Sequence, residues 1–224
     1  MNFSLGHGKN LDVGHIGISD EDLPSYDEGP IDLDRWFDTG TPTKADTRTP
    51  LELEIGSGKG TFLVQQATIR PDVNYIGLEY ARSYWRYAAD RSRRHGLKNV
   101  RLVRVEAGFF IQQFVQDNCF QCIHIYYPDP WPKTRHHKRR LIQAPFLLQL
   151  HRTLAAGAVV RIATDHVGYF EWIEAQVQLT GHAFERLAFS RGASSGSDEV
   201  VGTNFERKYR REGRPFHGLV LRKL

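Results

Sequence analysis

Leu51-Glu52-Leu53-Glu54-Ile55-Gly56-Ser57-Gly58-Lys59-Gly60-Thr61 is the stretch on which the reading of the fold turns. A short apolar-rich segment runs into three glycines at alternate positions. Lys59–Ile69 follows, with Phe62, Leu63, Gln66 and Ala67 at helical spacing. A strand, a turn that glycine makes without strain, and a helix together open a parallel α/β unit. Two phosphate-binding patterns fail on this turn. A P-loop requires Gly where Leu53 stands and Ser or Thr where Gly60 stands. A dinucleotide fingerprint requires its third glycine one residue later than Gly60.

The alternation continues outward. Val73–Leu78, Val100–Val105, Cys119–Tyr127 and Ala158–Ala163 read as strands. Between and after them, Ala81–His95, Gly108–Val115, Pro145–Leu154 and Val167–Leu179 read as helices, the third opening on proline, which needs no N–H there. Phe184–Ser190 and Phe216–Arg222 read as a closing pair of strands. The expected fold is α/β: a mostly parallel seven-stranded sheet with helices on both faces. Ligands in such sheets bind beyond the carboxyl ends of the strands, so function belongs in the loops after residues 55, 79, 105, 127 and 163.

The 224 residues suit one domain, residues 49–224, with an extension. Residues 1–48 show no sustained period and read as an acidic N-terminal extension, partly disordered at its start, with one short turn over Ile31–Phe37. Nine acids against Lys9 and Arg35 in residues 1–38 leave a net charge of +11 on the rest. A body that basic suits a polyanion, and the acidic segment is expected to compete with it. The only cysteines, Cys119 and Cys122, lie in an apolar run and read as reduced core thiols. No stretch is long and apolar enough to span a membrane or to act as a signal peptide, so a cytoplasmic protein is expected.

Acids follow three successive strands: Glu54, Glu79 and Glu106. An acid after the second strand can accept from ribose hydroxyls. After the fourth strand comes Tyr127-Pro128-Asp129-Pro130-Trp131-Pro132-Lys133-Thr134-Arg135-His136-His137-Lys138-Arg139-Arg140. Three prolines stiffen the backbone around Asp129. Trp131 beside five cations in residues 133–140 fits RNA, whose bases stack and whose phosphates pair. A solvated basic loop around a packing Trp is the plainer alternative. His136 and His137 lack a third ligand at workable spacing, so no metal is expected.

The pattern Glu54-x-Gly56-x-Gly58-x-Gly60 resembles motif I of class I S-adenosylmethionine methyltransferases, whose donor has no phosphate to cradle but carries a sulfonium cation and an amino-acid end. With LELEIGSGKG, YIGLE, YYPDPWPKTRHHKRR, RIATDH and TNFERKYRREG in order, residues 51–222 resemble the bacterial tRNA (guanine-N7-)-methyltransferases of the TrmB type. The resemblance implies a Rossmann-like fold and S-adenosylmethionine-dependent methylation of guanine N7 at position 46 of tRNA, by a monomer or homodimer. It puts Glu54, Gly56, Gly58, Glu79, Glu106 and Asp129 on the donor, with Asp129 also catalytic. Lys133, Asp165, Thr203, Asn204, Phe205 and Glu206 fall on substrate-binding positions, and Arg135, His136, His137, Lys138, Arg139 and Arg140 on the RNA-contacting stretch. The family usually has Asp where this chain has Glu106, and residues before 50 do not match its N-terminus. A non-catalytic RNA-binding protein on the same fold and a nucleotide-dependent oxidoreductase are the alternatives.

Overall fold

The computed structural model describes residues 10–37, 49–190 and 200–224. The chain divides into two compact units, Met1–Phe114 and Val115–Leu224. In the first, β1 (Gly17–Ile18), β2 (Leu51–Ile55), β3 (Asn74–Leu78) and β4 (Val100–Val103) lie in the order β1-β4-β3-β2, all parallel. Helices α1 (Thr61–Ile69), α2 (Arg82–Arg94) and α3 (Ala107–Phe114) follow β2, β3 and β4 in turn. Every residue of β2 is buried, as expected of a strand covered on both faces. Trp85 of α2 packs with Leu63, Tyr75 and Leu102, and its indole N–H donates to the Leu102 carbonyl at 2.8 Å.

In the second unit β5 (Phe120–Tyr126) and β6 (Leu154–Thr164) are parallel, while β8 (His217–Lys223) runs antiparallel to both β6 and β7 (Phe184–Ala188). The order is β5-β6-β8-β7. Helices α4 (Ala144–Thr153), α5 (Val167–Gln178) and α6 (Asn204–Arg211) complete it. Both cysteines are buried. No helix among the described residues is long and apolar enough to cross a membrane.

The described residues thus contain eight strands, not seven, because the N-terminal segment supplies β1. Its two residues are too few to show a period. They are held by the Ile16 and Ile18 carbonyls, which accept from Leu102 and Arg104 N–H at 2.8 and 2.9 Å. Ile16 is 0% exposed within the core of the first unit. Asp12 and Asp20 pair with Arg93 and Arg104. Leu33 is buried in the expected turn, here Leu33–Phe37, and Trp36 leans on Phe110. Residues 1–9, at the start where disorder is expected, and residues 38–48 lie outside the described residues.

Strand pairing and a buried anchor make residues 10–37 part of the first unit's packing. Ile16→Ala is expected to destabilise the full chain by about 2–5 kcal/mol, the usual cost of emptying a buried aliphatic site. Urea unfolding measures it; an unchanged midpoint would mean that the segment contributes nothing to that core.

Candidate functional site

The turn after β2 is closed on the end of β3. Gly56 and Ser57 N–H both donate to the Leu78 carbonyl, at 2.9 and 3.1 Å. Gly56, Gly58 and Gly60 adopt φ of 79°, 53° and 65°, the left-handed region that favours glycine. Their surroundings differ. A Cβ on Gly60 would come 2.9 Å from the Ala88 Cβ, so this glycine lets the turn press against α2. A Cβ on Gly56 would meet nothing within 4 Å, and one on Gly58 only the Gly56 carbonyl at 4.0 Å. The turn therefore has room beside it.

Glu54 ends up 4% exposed, and its Oε2 has no hydrogen-bond partner among the described residues. Burial, and secondarily the charge of Glu79, pushes its carboxyl well above the usual carboxylate range. Glu79 accepts from Gly58 N–H and Ala81 N–H, both at 2.8 Å, tying the glycine turn to the start of α2. Glu106 is exposed and caps α3, accepting from Gly108 and Phe109 N–H at 2.9 and 2.7 Å. Each of these carboxylate oxygens can still accept a second bond. A buried acid with an unpartnered oxygen, a second acid nearby and an open turn fit a donor that combines a cationic centre with hydroxyl groups.

In the second unit, Tyr127 N–H donates to the Ala163 carbonyl at 2.7 Å as the chain leaves β5. Tyr127 and Trp131 have φ of 54° and 42°, left-handed values costing bulky residues about 1–3 kcal/mol each. These two strained positions bracket Pro128-Asp129-Pro130 and leave Asp129 exposed. Arg140 holds the loop from below. Its side chain is 4% exposed, its Nε donates to the Pro130 carbonyl at 2.9 Å, and its guanidinium lies 5.1 and 5.0 Å from the Tyr169 and Trp172 ring centres. Arg140 therefore departs from the RNA-contacting stretch expected from sequence: it is an internal brace. Lys133, Arg135, Lys138 and Arg139 are exposed, while His136 and His137 are half-buried against Trp131 and Trp172. Trp131 is itself half-buried, with Arg139 over its ring at 5.0 Å.

Asp165, just past β6, accepts from Arg214 at 2.8 Å. The segment read as a Thr203–Glu206 turn is the first turn of α6. Thr203 Oγ1 accepts from Glu206 N–H at 3.0 Å as the N-cap. The Glu206 carboxylate, 1% exposed, accepts from Val200, Val201 and Gly202 N–H at 2.5, 2.9 and 2.8 Å. Both side chains, expected at the edge of a base, are thus turned to the local backbone. The spacing Thr-x-x-Glu is a capping signal that would have located this helix. Asn204 and Phe205 are exposed, and Phe205 joins Tyr127 and Tyr209 in an aromatic group, its ring centre 6.5 and 5.9 Å from theirs. Burial first, then the charges of Glu206 and Asp165, holds the Tyr127 phenol above its ordinary range and keeps it neutral. Tyr209 lies within the TNFERKYRREG piece but carries no role there, and Arg214 falls just beyond it.

Residues 48–219 match the family model described as "Putative methyltransferase". The tRNA (guanine-N(7)-)-methyltransferase of Streptococcus thermophilus (strain CNRZ 1066) is 33% identical over 168 residues, 75% of this chain and 78% of the relative. That of Halorhodospira halophila (strain DSM 244 / SL1) is 33% identical over 201 residues, 90% and 82% of the two chains. Among solved structures, a SAM-dependent methyltransferase from Aquifex aeolicus is similar in fold, with a TM-score of 0.55 at 14% identity, covering 80% of this chain and 84% of that one.

The state of Glu54 has a measurable consequence. Its folded pKa is raised, so above about pH 4.5 the unfolded chain releases a proton that the folded chain keeps. Its contribution to stability therefore falls as pH rises from there through the folded value. Glu54→Gln is expected to flatten the decline in urea midpoint between pH 4.5 and 7.5 in the ligand-free protein. An identical pH profile would place the carboxyl in an ordinary solvated setting.

Proposed function

Because the chain belongs to the tRNA (guanine-N7-)-methyltransferase family of the TrmB type, we propose that it transfers the methyl group of S-adenosylmethionine to N7 of guanine in tRNA, at position 46. The observation that carries this reading is Asp129, exposed on a loop fixed by three prolines, two left-handed residues and the Arg140 brace. Residues 49–224 are the methyltransferase domain in this reading and 1–48 its extension. It works in the cytoplasm, as a monomer or homodimer; two cysteines buried in the core suit a reducing compartment.

Bound S-adenosylmethionine supplies a methyl group activated by a sulfonium cation. Glu54 offers that donor a desolvated carboxyl, and a cation beside it favours the ionised form that burial disfavours in the free protein. Gly56 and Gly58 leave space for it, and Glu79 and Glu106 offer acceptors at the ribose and adenine positions.

Guanine N7 carries an in-plane lone pair and no proton, so the protein needs no strong general base. Its residues must hold the base in line with the methyl group, and orientation of this kind is worth roughly 7–11 kcal/mol. Asp129 accepts from the guanine N1–H or N2 amine and stabilises the positive charge that develops on the ring. Asp165 provides a further acceptor, while Lys133, Asn204 and Phe205 surround the base. Thr203 and Glu206 act indirectly, by shaping the loop before α6. Arg135, Lys138 and Arg139, with His136 and His137, contact the tRNA. N7 in a stacked tRNA must also be made reachable, so the base leaves its stack.

Asp129→Ala is expected to lower methyl transfer to unmodified tRNA by about 10²–10³, the cost of removing one preorganised stabilising group. Mapping 7-methylguanosine in the product checks both the rate and position 46; near wild-type turnover would reject the assignment. Replacing Lys133, Arg135, Lys138 and Arg139 with Ala should weaken tRNA binding and flatten its salt dependence, by roughly 0.7–0.9 in log–log slope for each phosphate that is no longer neutralised. An unaltered slope would put the RNA on another surface.

A further inference from the structure

Arg214 of the second unit has no part in the mechanism above. It lies just beyond α6, its backbone N–H bonded to the Tyr209 carbonyl at 2.9 Å. Its guanidinium stacks over the Tyr209 ring, Cζ 4.4 Å from the centre. Nη1 donates to Asp165 Oδ2 at 2.8 Å, and Nε lies 2.8 Å from Glu212 Oε2. The residue assigned to the edge of the substrate base therefore already holds a planar cation lying on an aromatic face.

Guanine carries the same chemistry in its own ring. N1, C2 and the exocyclic N2 form a guanidine fragment, flat, with N1–H and N2–H donors side by side on one edge. Adenine presents an acceptor, N1, beside its N6 donor, and N1 would meet the lone pairs of a carboxylate. We infer that Arg214 is a place-holder for guanine: in the free protein it occupies, on Asp165 and Tyr209, the place that the N1–H and N2–H edge of the base takes when tRNA binds. It is in this sense a positioning and specificity residue. The inference rests on the proposed assignment of Asp165 to the substrate base.

The energetics allow the exchange. The Arg214 side chain is 46% exposed and that of Asp165 12%, so water and salt compete for the cation, which is the partner that has to leave. Arg214 retains Glu212 as a partner when it lets go of Asp165. The single Nη1 bond to Asp165 gives way to the N1–H and N2–H edge, and one flat face replaces another, so neither the carboxylate nor the Tyr209 ring is left uncovered at either end. A base without adjacent donors cannot complete it and leaves Asp165 unpaired, which is the costly outcome.

The test compares full-length wild type, R214M, R214K and D165N on an unmodified tRNA transcript over a salt series. R214M is expected to raise kcat/KM about two- to fivefold through a lower KM, the scale of an ion pair whose cation is half-exposed, with the salt slope unchanged. R214K, which keeps the charge but not the planar fork, should fall between R214M and wild type. Guanosine should inhibit R214M more strongly than wild type, and adenosine should show no such gain. An equal or higher KM in R214M overturns the inference. So does a salt slope smaller by roughly 0.7–0.9, which would make Arg214 a phosphate contact. If wild type methylates tRNA and D165N is impaired, such a result sinks the place-holder alone. A D165N enzyme with wild-type kcat/KM, or an inactive wild type, removes the underlying assignment and this inference with it.

Discussion

Two acids share one face of β2, and their different fates set the character of the first unit. Glu52 and Glu54 are two residues apart and both buried. Glu52 is met by Arg70, whose Nη1 donates to it at 2.8 Å, and is thereby part of the fold. Glu54 keeps an oxygen without a partner among the described residues, and burial holds its carboxyl well above the usual carboxylate range. An uncompensated buried acid is destabilising. Glu54 sits at the carboxyl end of a parallel strand, beside a turn with open space at Gly56 and Gly58, where a cationic ligand would make that cost useful. The glycine turn, the Glu79 clasp on Gly58 and Ala81, and the packing of Gly60 against Ala88 all hold the surroundings of that carboxyl in one shape.

The second unit stores its strain differently. A non-glycine residue at positive φ is held there only when its surroundings over-determine it. Tyr127 is fixed by its bond to Ala163 and by the rings of Phe205 and Tyr209; Trp131 is flanked by Arg139 and His136. The prolines at 128, 130 and 132 remove the remaining freedom. Such a loop presents Asp129 with little left to order when a substrate arrives, which suits a reaction that depends on alignment rather than on proton removal.

Much of this is legible in the sequence where a local rule applies. Apolar spacing and turn residues agree on β2 to the residue, and on α1, α2 and α5 within two residues at either end. β1 is not legible, since a two-residue strand carries no period and its anchor, Ile16, is recognisable only from what surrounds it. α6 reads as a turn although its Thr-x-x-Glu cap is a local signal; the basic run after the cap hides the helix, whose eight residues include seven charged or aromatic side chains and so show no apolar stripe. Within the site, the positions of Glu54, Glu79 and Asp129 follow from strand ends and prolines. The duties of Arg140 and Glu206 do not, because whether a charged side chain faces a partner or the backbone depends on burial.

Lys133 to Arg140 contains five cations, and charge alone would give them one role. Burial divides them. A cation that must find a phosphate has to keep its hydration until contact, since the gain comes from releasing counterions at the interface. Lys133, Arg135, Lys138 and Arg139 meet that condition at the surface. Arg140 has lost its water already and regains the cost from the Pro130 carbonyl and two aromatic faces, so moving it to an RNA would break three interactions to make one. Its worth lies in keeping Pro130, and with it Asp129, from shifting while the neighbouring cations engage a mobile polyanion. A basic loop can therefore attract nucleic acid and remain rigid only by withdrawing one of its own cations from the surface.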